Sequence, residues 1–306
     1  MTPQRILLDC DPGHDDAIAL LLALASPELE LLGVTTVAGN QTLEKTTANA
    51  IRVLDFVDRD DIPVAVGADR PLVREPFVAA YVHGETGLDG PDLPPPRREP
   101  VPQHAVDFLA ERIEGTTLVA VGPLTNVALL LARYPKARPE RIVIMGGAIG
   151  LGNVTPAAEF NIWADPEAAA RVFASGIDLT MIGLDVTHGA LLMNDDAERL
   201  RGSGRTGKMV AELYDFFHRF HADTYGFGGS PIHDAVAVAH VFRPELVETK
   251  HCHVAIECDS ELTRGRTVVD LWRRTGEEPN AHVGVGVDGR AFVELLLERL
   301  GVSAAA

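Results

Sequence analysis

Short apolar runs alternate with segments of helical period over the first two-thirds of this chain. Runs typical of buried strands cover residues 5–8, 29–37, 63–66, 117–121, 141–145 and 179–184. Helical segments cover 17–25, 42–57 and 104–114, and two more begin near residues 122 and 165. Strands that alternate with helices indicate βαβ units with right-handed crossovers. The pattern therefore predicts an α/β fold with an open, mainly parallel sheet flanked by helices.

The last third of the chain is less regular. A helix is expected over 209–225, a glycine-rich loop follows it, and another helix begins at His233. A hairpin-like region covers 251–288, and within it we expect Trp272 to pack against the protein rather than reach a ligand. No composition break, linker or internal repeat divides the chain. We therefore predict a single domain over residues 1–306.

Bulk composition narrows the class of partner. The formal net charge of -17 argues against a nucleic-acid backbone or an anionic membrane as the main partner, and it is compatible with an enzyme of small neutral substrates. No signal-like or membrane-spanning stretch stands out. The 3 cysteines are scattered and form no disulfide framework. We therefore expect a cytoplasmic location.

Four carboxylates stand within eight residues, at Asp9, Asp11, Asp15 and Asp16. Crowded like charges raise one another's pKa unless a cation or strong hydrogen-bond donors neutralise them. Oxygen ligands of this kind suit a hard cation such as Ca²⁺ or Mg²⁺. The cluster lies where the first strand gives way to the first helix, and open α/β sheets bind their ligands at such strand ends. The sequence therefore predicts an active site here, with Asp9 in a supporting role that accepts backbone donors.

Polar residues also follow the later strands. They are Asn40 after the second strand, Met145 and its glycines after the 141–145 run, and then Asn153, Glu159 and Asn161. Because the carboxyl ends of parallel strands share one edge of a sheet, these residues can converge on one crevice. The pair His233-Asp234 opens a late helix, where an Asp is commonly an N-cap.

The string Asp9-Cys10-Asp11-Pro12-Gly13-His14-Asp15-Asp16 resembles the signature of the inosine–uridine nucleoside hydrolases. Further motifs resemble those of the same family and stand in the family's order, over at least residues 5–240. They are Thr35-Thr36-Val37-Ala38-Gly39-Asn40, His83-Gly84-Glu85-Thr86-Gly87, Gly122-Pro123-Leu124-Thr125-Asn126, Met145-Gly146-Gly147, Ala158-Glu159-Phe160-Asn161, Asp165-Pro166-Glu167-Ala168 and His233-Asp234. The resemblance implies a Rossmann-like nucleoside hydrolase fold and a purine or pyrimidine nucleosidase activity.

The resemblance also implies a metal site and a catalytic base. One Ca²⁺ per subunit would be held by Asp11, Asp16, Asp234 and the main-chain carbonyl of Val121, which agrees with the six to eight oxygens that this ion prefers. Asp11 would be the general base for a water on the ion, which attacks the anomeric carbon of the ribose. His14 stands where relatives carry an apolar or small residue, and we expect it to affect only packing.

The remaining site residues are also implied by the resemblance. Asp15, Asn40 and Asn161 would bind the 2′- and 3′-hydroxyls, Asn153 and Glu159 the 5′-hydroxyl, and Met145 would line the ribose pocket. His233 would assist departure of the base as a general acid and His83 would lie near the base. Imidazole titrates near neutral pH, so that a modest pKa shift leaves a usable donor. Tyr225, near His221, is a further candidate for the base side. Relatives are dimers or tetramers, which implies a homo-oligomer.

Two alternatives stay open at this point. The spacing of Asp9 and Asp11 also occurs in haloacid-dehalogenase phosphatases, although those enzymes lack the Asp15-Asp16 pair. A protein that binds nucleoside or ribose without turnover is the non-enzymatic alternative. The nucleobase is not settled by the sequence: His233 favours inosine and uridine, and other purine and pyrimidine nucleosides are possible substrates.

Overall fold

A computed structural model describes residues 2–302. Its strands are β1 (Gln4–Cys10), β2 (Leu29–Thr36), β3 (Val64–Val66), β4 (Thr117–Ala120), β5 (Arg141–Met145), β6 (Leu179–Ile182), β7 (Leu191–Met193), β8 (Gly229–Pro231), β9 (Val247–Cys252), β10 (Val254–Ile256), β11 (Thr267–Val269) and β12 (Ala281–Val287). Its helices are α1 (His14–Ala25), α2 (Leu43–Phe56), α3 (Ala80–His83), α4 (Ala105–Arg112), α5 (Thr125–Arg133), α6 (Phe160–Ala164), α7 (Pro166–Phe173), α8 (Leu184–Thr187), α9 (Asn194–Arg201), α10 (Arg205–Tyr225), α11 (His233–Phe242) and α12 (Gly289–Arg299).

The central sheet has eight strands in the order β3-β2-β1-β4-β5-β6-β12-β9. Its neighbours pair in parallel except at β12 and β9, which pair antiparallel at one edge. Strands β7 and β8 form a separate antiparallel pair, as do β10 and β11. The predicted parallel sheet is therefore present, and the last third of the chain adds β12 and β9 at one of its edges.

Helices cover both faces of the sheet because its central strands are apolar on both faces. In β1, for example, Ile6 and Leu8 belong to one buried cluster, whereas Leu7 belongs to the other. The first cluster packs under α1, α2 and α10 to α12, and the second under α4, α5 and α7. Helix α1 is apolar around most of its circumference since it packs against β2 of the sheet and against α2, α10 and α11. None of the helices described between residues 2 and 302 is long and apolar enough to cross a bilayer.

Several local expectations need correction. Trp272 is 84% exposed and does not pack into the protein. Part of the expected glycine-rich loop, Gly229–Pro231, is strand β8, because its backbone pairs with β7. The short helix α3, which carries His83, was not among the predicted helices. Cys10, Cys252 and Cys258 are all free thiols, as expected.

Candidate active site

The site begins where β1 ends and α1 starts. Asp16, in the first turn of α1, accepts hydrogen bonds from the backbone N–H groups of Asp11 and Gly13, both at 3.0 Å. Asp16 therefore caps its own helix and fixes the turn that carries the acids. Asn40, which follows β2, donates its backbone N–H to Asp11 Oδ2 at 2.6 Å and its Nδ2 to Asp16 Oδ2 at 2.9 Å. Two neighbouring strand ends are thus linked through these acids.

Two glycines leave room for the carboxylate of Asp11. A Cβ added at Gly39 would lie 2.1 Å from Asp11 Oδ2, and a Cβ added at Gly122 would lie 2.6 Å from Asp11 Oδ1. Any larger residue at either position would displace the acid. The backbone of two strand-end loops therefore encloses Asp11, which is fully buried.

Asp15, Asp16 and Asp234 form a compact cluster, with one carboxylate oxygen of each lying within 4.8 Å of the others. Asp234 is in the first turn of α11, so acids from both ends of the chain meet here. Burial, followed by repulsion from Asp16, raises the pKa of Asp15 to about 8. Burial, followed by repulsion from Asp16, also raises the pKa of Asp11 well above its usual range. We call the buried acids Asp11, Asp15, Asp16 and Asp234 the acidic floor.

The acidic floor fits a hard cation. Its donors are all oxygens, and Asp11 Oδ1 is buried with no hydrogen-bond partner among the described residues. Such a buried charged oxygen is costly unless a ligand neutralises it. The carbonyl of Val121, directly after β4, lies beside the cavity and accepts a 2.7 Å hydrogen bond from Asn161 Nδ2. A carbonyl has a second lone pair, so it retains a free site for an ion.

Asp9, two residues before Asp11, is also buried, although its hydrogen-bond partners differ from the prediction. Its Oδ1 accepts hydrogen bonds from the side chains of Thr35 and Asn126, not from the backbone. Burial raises the pKa of Asp9 to about 6. Asn126 also donates to the carbonyl of Thr36, and this ties the end of β2 to the start of α5.

The side chains expected around a sugar lie along one side of the cavity. Glu159 is the N-cap of α6: its oxygens accept from the backbone N–H groups of Asn161, Ile162 and Gly147. Burial raises the pKa of Glu159 to about 7, against the effect of these donors. Asn153 Oδ1 accepts from the N–H of Phe160. Asn161 Nδ2 donates to the carbonyls of Val121 and Met145 at 2.7 and 3.1 Å.

Rings also line the cavity. We call this set the ring wall: His83, His188, Phe217, Phe220, His221, Tyr225 and His233. His233 is the first residue of α11, and its Nδ1 lies 2.7 Å from Thr187 Oγ1. Burial lowers the pKa of His233 well below its usual range, and His188 and His221 lower it further. The downward shift of the His233 pKa is therefore larger than the modest shift expected from the sequence.

His83 and His14 form a buried pair, with their Nδ1 atoms 3.1 Å apart. Burial lowers the pKa of His83 well below its usual range. His14 Nε2 lies 2.8 Å from the carbonyl oxygen of Asp89, and its ring stacks on Phe216. His14 was expected to affect packing only, but it also contacts a ring that lines the cavity.

Between the acidic floor and the ring wall lies a cavity with about 630 Å³ of empty space, including its mouth. Its lining includes every residue predicted to bind substrate: Asp15, Asn40, His83, Met145, Asn153, Glu159 and Asn161. Of the predicted metal ligands, Val121 and Asp234 line the cavity. Asp11 and Asp16 lie next to Asp234, behind the cavity lining.

Sequence reasoning missed three members of the ring wall: His188, Phe217 and Phe220. His188 directly follows α8, the short helix after β6, so no strand-end pattern marks it. Phe217 and Phe220 lie in α10, where apolar residues at helical spacing look like ordinary core.

Comparison with known proteins agrees with the family resemblance of the sequence motifs. The sequence matches the family of inosine-uridine preferring nucleoside hydrolases over residues 6–294. It is 56% identical to the pyrimidine-specific ribonucleoside hydrolase RihA of Shewanella sp. (strain ANA-3) over 305 residues, which cover 97% of this chain and 96% of that relative. RihA of Escherichia coli is 54% identical over 303 residues, covering 96% of this chain and 97% of the relative.

Among solved structures, the purine-preferring ribonucleoside hydrolase from Gardnerella vaginalis superposes with a TM-score of 0.91 at 34% identity. The superposition covers 97% of this chain and 98% of the other. The motif-based resemblance and the predicted fold class are both confirmed. The match to a hydrolase family over most of the chain also decides against a haloacid-dehalogenase phosphatase and a binding protein without turnover.

Proposed function

The chain belongs to the family of inosine-uridine preferring nucleoside hydrolases and is a nucleoside hydrolase, and from that premise we propose a calcium-dependent hydrolysis of pyrimidine ribonucleosides. The products are ribose and the free base. The observation that supports it most is the acidic floor, where carboxylate oxygens of Asp15, Asp16 and Asp234 lie within 4.8 Å of one another beside amide side chains suited to sugar hydroxyls.

The preference for uridine and cytidine rests on the relatives. Those at 54% and 56% identity are named pyrimidine-specific, whereas the purine-preferring structure is only 34% identical. Inosine and other purine nucleosides are expected to be slower substrates, since a larger base must be accommodated by the same ring wall. This narrows the inosine–uridine preference expected from His233.

The metal site is proposed to consist of Asp11, Asp16, Asp234 and the carbonyl of Val121. An all-oxygen donor set and the unpartnered Asp11 Oδ1 favour Ca²⁺. When bound, a divalent cation lowers the pKa of water and so supplies a nucleophile near neutral pH. Asp15, which we assign to the sugar hydroxyls, belongs to the same compact cluster as Asp16 and Asp234.

Asp11 is proposed as the general base. Its Oδ2 is held by the N–H of Asn40, which leaves Oδ1 to accept a proton from the attacking water. The water oxygen forms a bond to the anomeric carbon as the carbon–nitrogen bond breaks. The electron pair of the carbon–nitrogen bond goes to the departing nucleobase. Gly39 and Gly122 keep the acid in place, so its geometry is set before substrate arrives.

Sugar recognition is proposed to use the hydrogen-bonding capacity that the protein leaves free. Asp15, Asn40 and Asn161 bind the 2′- and 3′-hydroxyls. Because the Asn161 amide nitrogen is engaged with two carbonyls, its oxygen is the group that accepts from a hydroxyl. For the 5′-hydroxyl, Asn153 offers its amide nitrogen and Glu159 its remaining lone pairs, and Met145 packs against the ribose.

The nucleobase is proposed to lie against the ring wall. His233 assists its departure by donating a hydrogen bond, and His83 lies beside it. Aromatic faces tolerate different bases, so most of the binding energy common to all substrates comes from the sugar side. A homo-oligomeric assembly and a cytoplasmic location remain predictions, and light scattering of the purified protein tests the first.

A substrate panel tests this function. Ribose release should be measured with uridine, cytidine, inosine, adenosine and guanosine, before and after chelation and on return of Ca²⁺. We expect uridine and cytidine to have the largest kcat/KM, and chelation to abolish turnover until Ca²⁺ is restored. Equal rates for purines would refute the base preference, and undiminished activity after exhaustive chelation would refute the metal dependence.

A further inference from the structure

Thr187 is a buried residue that none of the motifs above includes. It is the last residue of α8, which follows β6, and its exposed fraction is 0%. Its Oγ1 lies 2.7 Å from Nδ1 of His233, the first residue of α11. This is the one hydrogen bond of Oγ1, and the one hydrogen bond of the His233 ring, among the described residues.

The direction of this hydrogen bond follows from the geometry. If His233 donated from Nδ1, the hydroxyl proton of Thr187 would be buried with no acceptor, which is unfavourable. If Thr187 donates, its proton is satisfied by the Nδ1 lone pair. The second arrangement satisfies both groups, so a neutral His233 carries its proton on Nε2.

The neighbouring rings support the same arrangement. The ring centroids of His188 and His221 lie 5.6 and 6.1 Å from that of His233, so the imidazole is packed between other rings and has little room to turn. His233 lines the cavity, and its Nδ1 is already occupied by Thr187. Nε2 is therefore the nitrogen left for a ligand.

We propose that Thr187 is a positioning residue for the hydrolysis of nucleosides: its hydroxyl holds His233 as the tautomer whose Nε2–H donates to the departing nucleobase. The inference rests on the proposed role of His233 in base departure. Thr187 itself touches neither substrate nor metal in this account. Without its hydroxyl, His233 is free to place the proton on Nδ1, and the nitrogen that faces the base then has no hydrogen to give.

Two variants isolate the hydroxyl. Thr187→Val removes it with little change in shape, whereas Thr187→Ser retains it and is the matched control. With uridine as substrate, we expect Thr187→Val to lower kcat by roughly tenfold or more while KM changes little, because the lost interaction acts on bond breaking. Thr187→Ser should retain most of the wild-type kcat.

A second substrate separates positioning from a general loss of structure. The leaving group of p-nitrophenyl riboside departs without help from an acid, so its hydrolysis should be nearly unchanged in Thr187→Val. Equal losses with uridine and p-nitrophenyl riboside, or full uridine activity in Thr187→Val, would overturn the proposal. A Thr187→Ser variant that loses as much uridine activity as Thr187→Val, while its melting temperature stays at the wild-type value, would also overturn the proposal.

His233→Ala distinguishes this inference from the proposed function. If His233→Ala slows uridine hydrolysis, adding Thr187→Val to that variant should cause no further loss, since the hydroxyl acts only through the imidazole. A full further loss in the double variant contradicts the inference alone. Unchanged uridine activity in His233→Ala instead removes the role of His233 in base departure, and the inference falls with it.

Discussion

On the acidic floor, hydrogen bonds from the backbone and from neighbouring side chains hold the acids, whereas on the ring wall most contacts are ring against ring. Asp11 and Asp16 are fixed by three backbone N–H groups, with two glycines closing in on Asp11. By contrast, Phe220 meets Tyr81 and Tyr225 at centroid distances of 5.8 and 6.0 Å, edge to face. Hydrogen bonds fix atoms to tenths of an ångström, but ring packing tolerates repacking.

This difference indicates a division of labour. A rigid floor, in which hydrogen bonds hold Asp11 and Asp16, suits the part of the substrate that every ribonucleoside shares, namely the sugar and the bond to be broken. An adaptable wall suits the part that varies, the nucleobase. Relatives named pyrimidine-specific and purine-preferring both resemble this chain closely in sequence or in fold, as expected if the wall changes while the floor is kept.

The largest expected effect comes from removing one hydroxyl from the sugar. 2′-Deoxyuridine should have a kcat/KM about 10,000-fold below that of uridine, because buried polar groups of the floor are left without a partner. 5-Methyluridine, which changes only the base, should lose less than about tenfold. Comparable losses for the two analogues would break the division between floor and wall. Initial rates of base release provide the measurement.

Asp11→Ala should lower kcat by about 1,000-fold for uridine and inosine alike, since the general base serves every substrate. The variant should still bind a ribose analogue, and calorimetry of that binding in the variant and the wild type gives the comparison. Asp61→Ala, at an exposed position that does not line the cavity, is the matched control and should behave as wild type. A loss confined to one nucleobase would contradict the assignment of Asp11 to the floor.

A change in the ring wall should alter choice of base rather than catalysis. Phe220→Leu is expected to change the ratio of uridine to inosine kcat/KM by roughly tenfold, which is the scale of one ring contact. Inhibition by free ribose should be unaffected, because the sugar side is untouched. Phe56→Leu, a partly buried substitution at the end of α2, controls for general loosening. An unchanged ratio would mean that the wall does not select the base.

The smallest effect is a pH dependence of stability from His221. Burial lowers its pKa to about 4 from an ordinary 6.5, so between these values the unfolded chain binds more protons than the folded one. Stability should therefore be complete above pH 6.5 and fall as pH drops toward 4, by at most about 1.4 kcal/mol per pH unit from this group. His221→Phe should flatten that slope in urea titrations, and an identical slope would contradict the shift.

The floor was predictable from sequence because its residues lie in short motifs at strand ends. Asp11, Asp15 and Asp16 follow β1, beside Asn40 after β2, and parallel strands bring such ends together. Asp234, in α11 after β8, follows no strand of the parallel sheet, and only the family resemblance implied it. The order of strands did not have to be known, since every parallel strand points its carboxyl end the same way.

The ring wall was only partly predictable because its members come from distant segments that tertiary packing assembles. Phe217 and Phe220 have the spacing of an ordinary core face of α10, and only the docking of α10 against α3 and β8 shows that they line a cavity. Thr187 carries no local signal at all, since a buried threonine near a strand end is unremarkable. Its partner, His233, lies 46 residues later in the sequence.

The most direct test of the account is a crystal structure with Ca²⁺ and ribose. We expect one ion in the acidic floor, ligated by Asp11, Asp16, Asp234 and the carbonyl of Val121, with the sugar hydroxyls on Asp15, Asn40 and Asn161. The ring wall should stay free of sugar contacts. A floor that holds no ion at saturating Ca²⁺, or an ion bound elsewhere while ribose is in place, would contradict the central claim.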